Sequence, residues 1–384
     1  MIPASYSFMH KTKVFYGALA LEQIPPELDQ IPARIPLVIA GEKTEKRAIR
    51  ALAGAFARTA APITVFDHAP DTVEETTVNE IVDIYKKTGC NSILALGNAS
   101  VIDTARAAAV VLAGNGLAGV TGENKIAGPL PPFFAIPTMA QEKPSLTMTL
   151  KVGTGTGARE MVSPLLMPRA VFVDSRAMAS ASGKDVAKSG LAALYRIVEA
   201  ATGPQRNPVS TTFAACALEM LAQTLLKAVR VNSAKVSAVV TAAGVMSEIA
   251  ASNTTQGAGP ALSKAVGAAC KVPADLAGAA LIPGLIKLRA KGAEDSLSRL
   301  LLAMAGPEKY AATPAAGRAQ AAIEAIENLI LKVNASAGLK LTMASLGLAS
   351  GVNEIAQAVA ADTRTLGPET LTQAQVMEIL AAAE

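Results

Sequence analysis

Up to about residue 180 the chain alternates short β-rich runs with helical segments, and beyond Ser180 the β-rich runs stop. The runs fall at 12–16, 35–40, 62–66, 92–96, 133–136 and 170–173. Between them, 45–58, 76–88 and 101–112 repeat apolar residues at spacings of three and four. Strand, helix, strand in regular alternation predicts an open, mostly parallel α/β sheet of the Rossmann-like kind, because parallel neighbours need a crossover between them. After residue 180 only alanine-rich helical periodicity remains, with helices expected at 184–201, 209–231, 234–251, 276–289, 315–333 and 373–383. The chain is therefore expected to hold an α/β domain of the nucleotide-binding type at 1–180 and an all-α domain at 181–384.

Composition agrees with many helices. Hydrophobic residues make up 51% but aromatic ones only 3%, with no Trp, so Ala, Leu, Val and Ile must fill the core. Lys and Arg number 35 against 31 Asp and Glu, and the net charge of +4 comes without a basic run, so no nucleic-acid partner is expected. Two histidines, His10 and His68, are too few for most histidine chemistry. Cys90, Cys216 and Cys270 are odd in number and widely spaced, which reads as buried thiols in a reducing compartment. Mean hydropathy is +0.35. No uninterrupted apolar run reaches the roughly 18 residues of a membrane span, and the N-terminus has no secretory pattern, so a cytoplasmic protein off the membrane is expected.

In such sheets ligands bind beyond the carboxyl ends of the strands, where glycine turns and helix starts offer N–H groups to phosphate. Gly97-Asn98-Ala99-Ser100-Val101-Ile102-Asp103 follows the run 92–96 and opens a helix with Ser100 at the cap, which suits a nucleotide or an ordinary turn. Gly153-Thr154-Gly155-Thr156-Gly157 lies between two extended runs and reads as a hairpin turn.

These residues resemble the iron-containing (group III) alcohol dehydrogenases, relatives of glycerol dehydrogenase and dehydroquinate synthase. The likeness begins at Lys13-Val14-Phe15-Tyr16-Gly17 and continues through Gly97 to Arg106, Ile136-Pro137-Thr138, Val162 to Pro168 and Val173-Asp174. In the second half it is carried by Ser252-Asn253, Gly257, Gly267, Val272-Pro273 and Pro283. The resemblance implies an NAD(P) site at Gly97, Asn98, Ala99, Ser100, Asp103 and Thr138, and a metal held by one Asp and three His.

At those four metal positions this chain has Ala192, Arg196, Pro260 and Ala274, and the family's further His, often tied to proton transfer, is Lys264. Three of the four offer no side-chain donor, and Arg196 carries a fixed positive charge. No metal is expected. Nucleotide binding is expected to be weak. Asn98 and Ala99 put Cβ atoms into a turn that the family builds from glycine, and Ala is poorly suited to a left-handed conformation there. The family's glycine-rich nicotinamide loop reads Met139-Ala140-Gln141-Glu142-Lys143-Pro144-Ser145, and only Glu42, one position late, stands where an Asp would meet the ribose.

Three readings of function follow. One is a ligand-binding or partner protein that keeps the fold without metal-dependent chemistry. A second is a metal-independent NAD(P) oxidoreductase with Arg196, Lys264 or Tyr195 polarising a carbonyl. The third is a non-redox enzyme on a small anionic substrate. Two cations, Arg196 and Lys264, imply either compensation by Asp275 and Glu142 or a small anionic ligand between them. Glu199 reads as helix surface and Cys270 as packing. The resemblance also implies a homodimer formed through the N-terminal strand 12–16.

Overall fold

The computed structural model describes residues 5–42, 44, 46–57, 59, 62–140, 145–154, 157–179, 181–254, 256–348 and 351–383. It divides into two units. One comprises 11–139 and 145–179; the other comprises 5–10, Ala140 and the chain from 181 onward. The division near residue 180 coincides with the end of the alternation. Residues 5–10, expected in the first domain, group instead with the helices: Met9 N donates to Asn253 Oδ1 at 2.8 Å, and Phe8 stacks on Phe213 at 5.7 Å. His10 therefore belongs to the helical unit.

In chain order the α/β unit contains β1 (Lys13–Tyr16), α1 (Ile24–Asp29), β2 (Pro36–Gly41), α2 (Lys46–Phe56), β3 (Thr64–Ala69) and α3 (Glu75–Lys87). There follow β4 (Ser92–Gly97), α4 (Ala99–Leu112), β5 (Gly122–Glu123), β6 (Phe133–Pro137), β7 (Thr149–Thr154), β8 (Gly157–Val162) and β9 (Ala170–Val173). Six strands form a parallel sheet in the order β1-β9-β6-β4-β2-β3. The central strands β2 and β4, PLVIAG and SILALG, are buried at every position, as apolar runs covered on both faces must be. On one face Leu94, Leu96, Phe134, Ile136, Ala170 and Phe172 alternate inward to meet Ala48, Leu52 and Phe56 of α2, spaced one helical turn apart. β1 is at the edge of the sheet, with Tyr16 exposed. The strands on either side of the glycine cluster, β7 and β8, pair antiparallel from Thr149↔Val162 to Thr154↔Gly157, while Gly155 and Thr156 between them lie outside the described residues; with β5 these strands form a second sheet that the sequence reading lacked.

The helical unit runs α5 (Gly183–Thr202), α6 (Pro208–Arg230), α7 (Ala234–Ala251), α8 (Ala258–Cys270) and α9 (Ala274–Arg289). It continues with α10 (Glu294–Ala312), α11 (Arg318–Ala337), α12 (Val352–Ala361), α13 (Thr363–Leu366) and α14 (Gln373–Ala381). α5 is buried almost all round and packs against α6, α7 and α9. α8, α10, α12 and the short α13 were not expected. α8 opens Ala-Gly-Pro after Gly257 at φ +136°, and α10 is broken at Gly306-Pro307, with Gly306 at φ +80°; both patterns read as loop. α6 and α7 are long and apolar enough to cross a membrane, which counting uninterrupted apolar residues did not register; they pack on each other and on α5.

Candidate functional site

In the sheet, β2 leads through α2 to one side and β4 leads through α4 to the other. The strand order therefore reverses between the ends of β2 and β4, which is where open α/β sheets bind ligands. Gly41 and Gly97 end these strands under Val101 of α4. A Cβ on Gly41 would stand 2.9 Å from Val101 Cγ2, and one on Gly97 2.7 Å from Val101 Cβ, so both glycines let α4 close on the sheet. Thr138 is brought to the same place, its N–H donating to Gly97 O at 3.1 Å.

The turn itself departs from expectation. Asn98, not Ser100, caps α4: it is extended (φ −78°, ψ −177°) and its Oδ1 accepts from Val101 N at 3.1 Å, while Ser100 lies inside the helix. Neither Asn98 nor Ala99 takes a positive φ, so the anticipated left-handed strain does not arise. Asn98 instead occupies one of the first-turn amides with its own oxygen, and its Nδ2 donates to Asp71 Oδ1 at 3.1 Å. Asp71, which the sequence reading missed, puts a carboxylate beside a turn suited to phosphate.

Asp103 faces inward. It is 2% exposed and bound at 2.7 Å to Arg106 Nη1, whose Nε and Nη2 reach Leu166 O and Ser145 O, so it holds α4 to neighbouring loops rather than standing at the turn surface or capping a helix. Glu42 is exposed, and residues 141–144, including Glu142, lie outside the described residues.

The four metal positions belong to the helical unit. On α5, Ala192, Tyr195, Arg196 and Glu199 recur at intervals of three and four and so share one face. Ala192 is fully buried. Tyr195 Oη bonds to Ser263 Oγ of α8 at 3.0 Å, and its ring lies against Gly278 of α9, where a Cβ would come within 2.6 Å. Burial holds this phenol well above its ordinary pKa, with Glu199 adding to the effect.

Arg196, 3% exposed, donates from Nε to Ser247 Oγ of α7 at 2.9 Å and from Nη1 to Asp275 Oδ2 of α9 at 2.6 Å. Burial raises the Asp275 pKa despite the guanidinium beside it. Asp275 adjoins Ala274; Pro260 and Ala274 are half-buried, and Lys264 is on the exposed face of α8. Arg196 and Asp275 are thus joined, as the compensation argument anticipated for that acid. Among the described residues no group of three or more His, Cys, Asp or Glu could hold a metal ion.

One turn further along α5, Glu199 is not a surface residue: it is 3% exposed. Its carboxylate meets Arg289 Nη1 at 2.6 Å and Nη2 at 3.2 Å, and the same guanidinium binds Glu369 from Nε and Nη2, both at 2.8 Å. Glu369 Oε2 also accepts from Ala258 N at 2.6 Å, the first amide of α8. Burial raises the Glu199 pKa against the pull of Arg289. Glu369 is also penalised by burial but ends below its ordinary value, because Arg289 and the α8 amide favour the carboxylate. The thiols need correction too: Cys90 is buried, but Cys216 is on the outer face of α6 and Cys270 is half-buried.

Comparison with known proteins places these features in a family. The model for iron-containing alcohol dehydrogenase matches residues 11–175, and that for the C-terminal part of the Fe-containing alcohol dehydrogenase family matches 186–384. NAD-dependent methanol dehydrogenase from Bacillus methanolicus is 28% identical over 56% of this chain and 57% of its own length, so the match spans little more than half of that relative. A probable alcohol dehydrogenase, EutG, of Salmonella typhimurium is 25% identical over 86% of this chain and 82% of its own. Among solved structures, a 1,3-propanediol oxidoreductase superposes with a TM-score of 0.83 at 19% identity, over 99% of this chain and all of that one. The alcohol dehydrogenase from Oenococcus oeni gives 0.81 at 19% identity, over 99% and 100%. With both halves of the chain matched and the fold shared, this protein belongs to the iron-containing alcohol dehydrogenase family.

Proposed function

We propose that this chain is a family member without metal-dependent alcohol dehydrogenase activity, serving a ligand-binding or partner role on the dehydrogenase fold. The donor set at the four metal positions carries this reading. Ala192, Pro260 and Ala274 have no ligating atom, and Arg196 is a permanent cation bound to Asp275. These residues do not fit an iron or zinc ion.

Metal-independent carbonyl polarisation by Tyr195 or Arg196 is disfavoured, since Tyr195 is engaged with Ser263 and Arg196 with Ser247 and Asp275. An anion clamped between Arg196 and Lys264 would have to compete with Asp275 for the same guanidinium. Elemental analysis of the purified protein is expected to find no stoichiometric Fe, Zn or Ni after chelation, and Arg196→His alone is expected not to restore binding because three ligands stay absent. Near-stoichiometric metal, or alcohol oxidation with NAD(P) on adding Fe, Zn or Ni, would contradict the proposal.

A nicotinamide nucleotide, when bound, supplies hydride transfer; Gly97, Thr138 and the first-turn amides at Ala99 and Ser100 are the groups that would meet its phosphates. The fit is partial, because Asn98 Oδ1 already uses the Val101 amide and Asp71 adds negative charge. NADH and NADPH are therefore expected to bind more weakly than about 1 μM. Asn98→Gly with Ala99→Gly is expected to tighten binding several-fold, losing only a few tenths of a kcal/mol at the cap. Titration by fluorescence reads both, and micromolar or tighter binding by the unmodified protein would refute the first.

A further inference from the structure

A metal liganded from several helices is a cross-link as well as a Lewis acid. A family member whose residues cannot hold it must join those helices in another way. The geometry of α5 shows how this chain does so. Two consecutive residues, Tyr195 and Arg196, reach three neighbouring helices: Tyr195 reaches α8 through Ser263 and packs on Gly278 of α9, and Arg196 reaches α7 through Ser247 and α9 through Asp275. Ser247 Oγ gives its own proton to Gly244 O at 2.7 Å, which leaves its lone pairs to receive Arg196 Nε.

We propose that the Arg196–Asp275 pair is a built-in cationic clasp that stands in place of a metal between α5 and α9, two of the three helices carrying the metal positions, and ties in α7 through Ser247. The proposal rests on the reading that the four positions hold no metal, and adds that one of them now does a structural job. Arginine suits the task. Its charge persists at any working pH, and its planar fork can serve two acceptors on different helices from separate nitrogens, whereas a lysine would have to draw both acceptors to one nitrogen. The clasp closes at Asp275, so one of the four metal positions, Arg196, belongs to it and a second, Ala274, adjoins it in sequence.

The test uses the full chain. Unfolding constants are measured by urea denaturation for wild type, Arg196→Ala, Asp275→Ala and the double variant. The clasp predicts coupling of at least tenfold between the two positions; coupling below twofold overturns it. Arg196→Met with Asp275→Leu, which leaves no charge stranded, is expected to be more stable than either single alanine variant, and the reverse order counts against the clasp.

Asp275→Asn, nearly isosteric, gives a readout that does not depend on those variants folding. Amide exchange at Leu276, Ala277 and Gly278 is expected to speed up at least tenfold, and unchanged exchange overturns the proposal. Wild type is expected to keep its thermal midpoint in a chelator. A fall that added metal reverses would overturn both the clasp and the metal-free reading. Missing coupling in a chelator-indifferent protein would overturn the clasp alone.

Discussion

Arg289→Ala is expected to lower the thermal midpoint by roughly 10 °C or to prevent folding of the helical unit altogether. Arg289 is 6% exposed and is bonded to both Glu199 and Glu369. Removing one partner from a buried ion pair destabilises by about 3–5 kcal/mol, chiefly because the remaining charge has lost both water and its counter-ion. For a unit of this size each kcal/mol moves the midpoint by about 2–4 °C. Here two carboxylates are stranded, and one of them also starts α8 through Ala258 N. Arg289→Lys is expected to recover only part of the loss, since one ammonium cannot present two forks at once. Calorimetry of the three proteins checks both statements; a midpoint within 2 °C of wild type for Arg289→Ala would refute the account.

The sequence made the frame legible and the polar interior largely illegible, for a physical reason. Strand runs such as 92–96 and helices such as 234–251 are written in local periodicity, and the structure returns them as Ser92–Gly97 and Ala234–Ala251. The four replaced metal positions were legible only through resemblance, since nothing local distinguishes Ala192 or Ala274 from any other helical alanine. What local pattern cannot show is a partner far along the chain. Glu199 looks like an ordinary helical acid until Arg289 arrives from ninety positions away, and Ala258 gains its cap from Glu369, 111 positions later.

α8 was missed for the same cause, its stop-like Gly-Pro start being overruled by that distant carboxylate. Asn98 and Ser100 show the converse difficulty: two adjacent cap-forming residues compete for one position, and only the backbone angle decides between them. Asp103 had the spacing to see its partner, Arg106, one turn on, but spacing does not say that the pair would be buried.

Gly259→Ala inverts the usual sign of a glycine substitution in a helix. Within a helix, replacing Gly by Ala ordinarily stabilises by up to about 1 kcal/mol through backbone entropy. At Gly259, in the first turn of α8, the added Cβ would fall 2.0 Å from Glu199 Oε1 and 2.2 Å from Glu199 Cδ. An exposed glutamate would swing aside, but this one is buried and pinned at 2.6 Å by Arg289, so the methyl must either part α5 from α8 or push the carboxylate off its counter-ion. Overpacking of this kind costs about 1–3 kcal/mol, and a displaced ion pair adds to it, so the clash outweighs the entropic gain. The variant is expected to unfold at lower urea than wild type. Gly54→Ala, on the exposed face of α2 with nothing within 4 Å of the new Cβ, is expected to unfold at the same or slightly higher urea. Glu199→Ala makes room for the methyl and leaves Arg289 paired with Glu369 alone. The double variant Glu199→Ala with Gly259→Ala is therefore expected to be more stable than Gly259→Ala, and a double variant less stable than that single one would show that the contact between Gly259 and Glu199 is not what fixes α8 against α5.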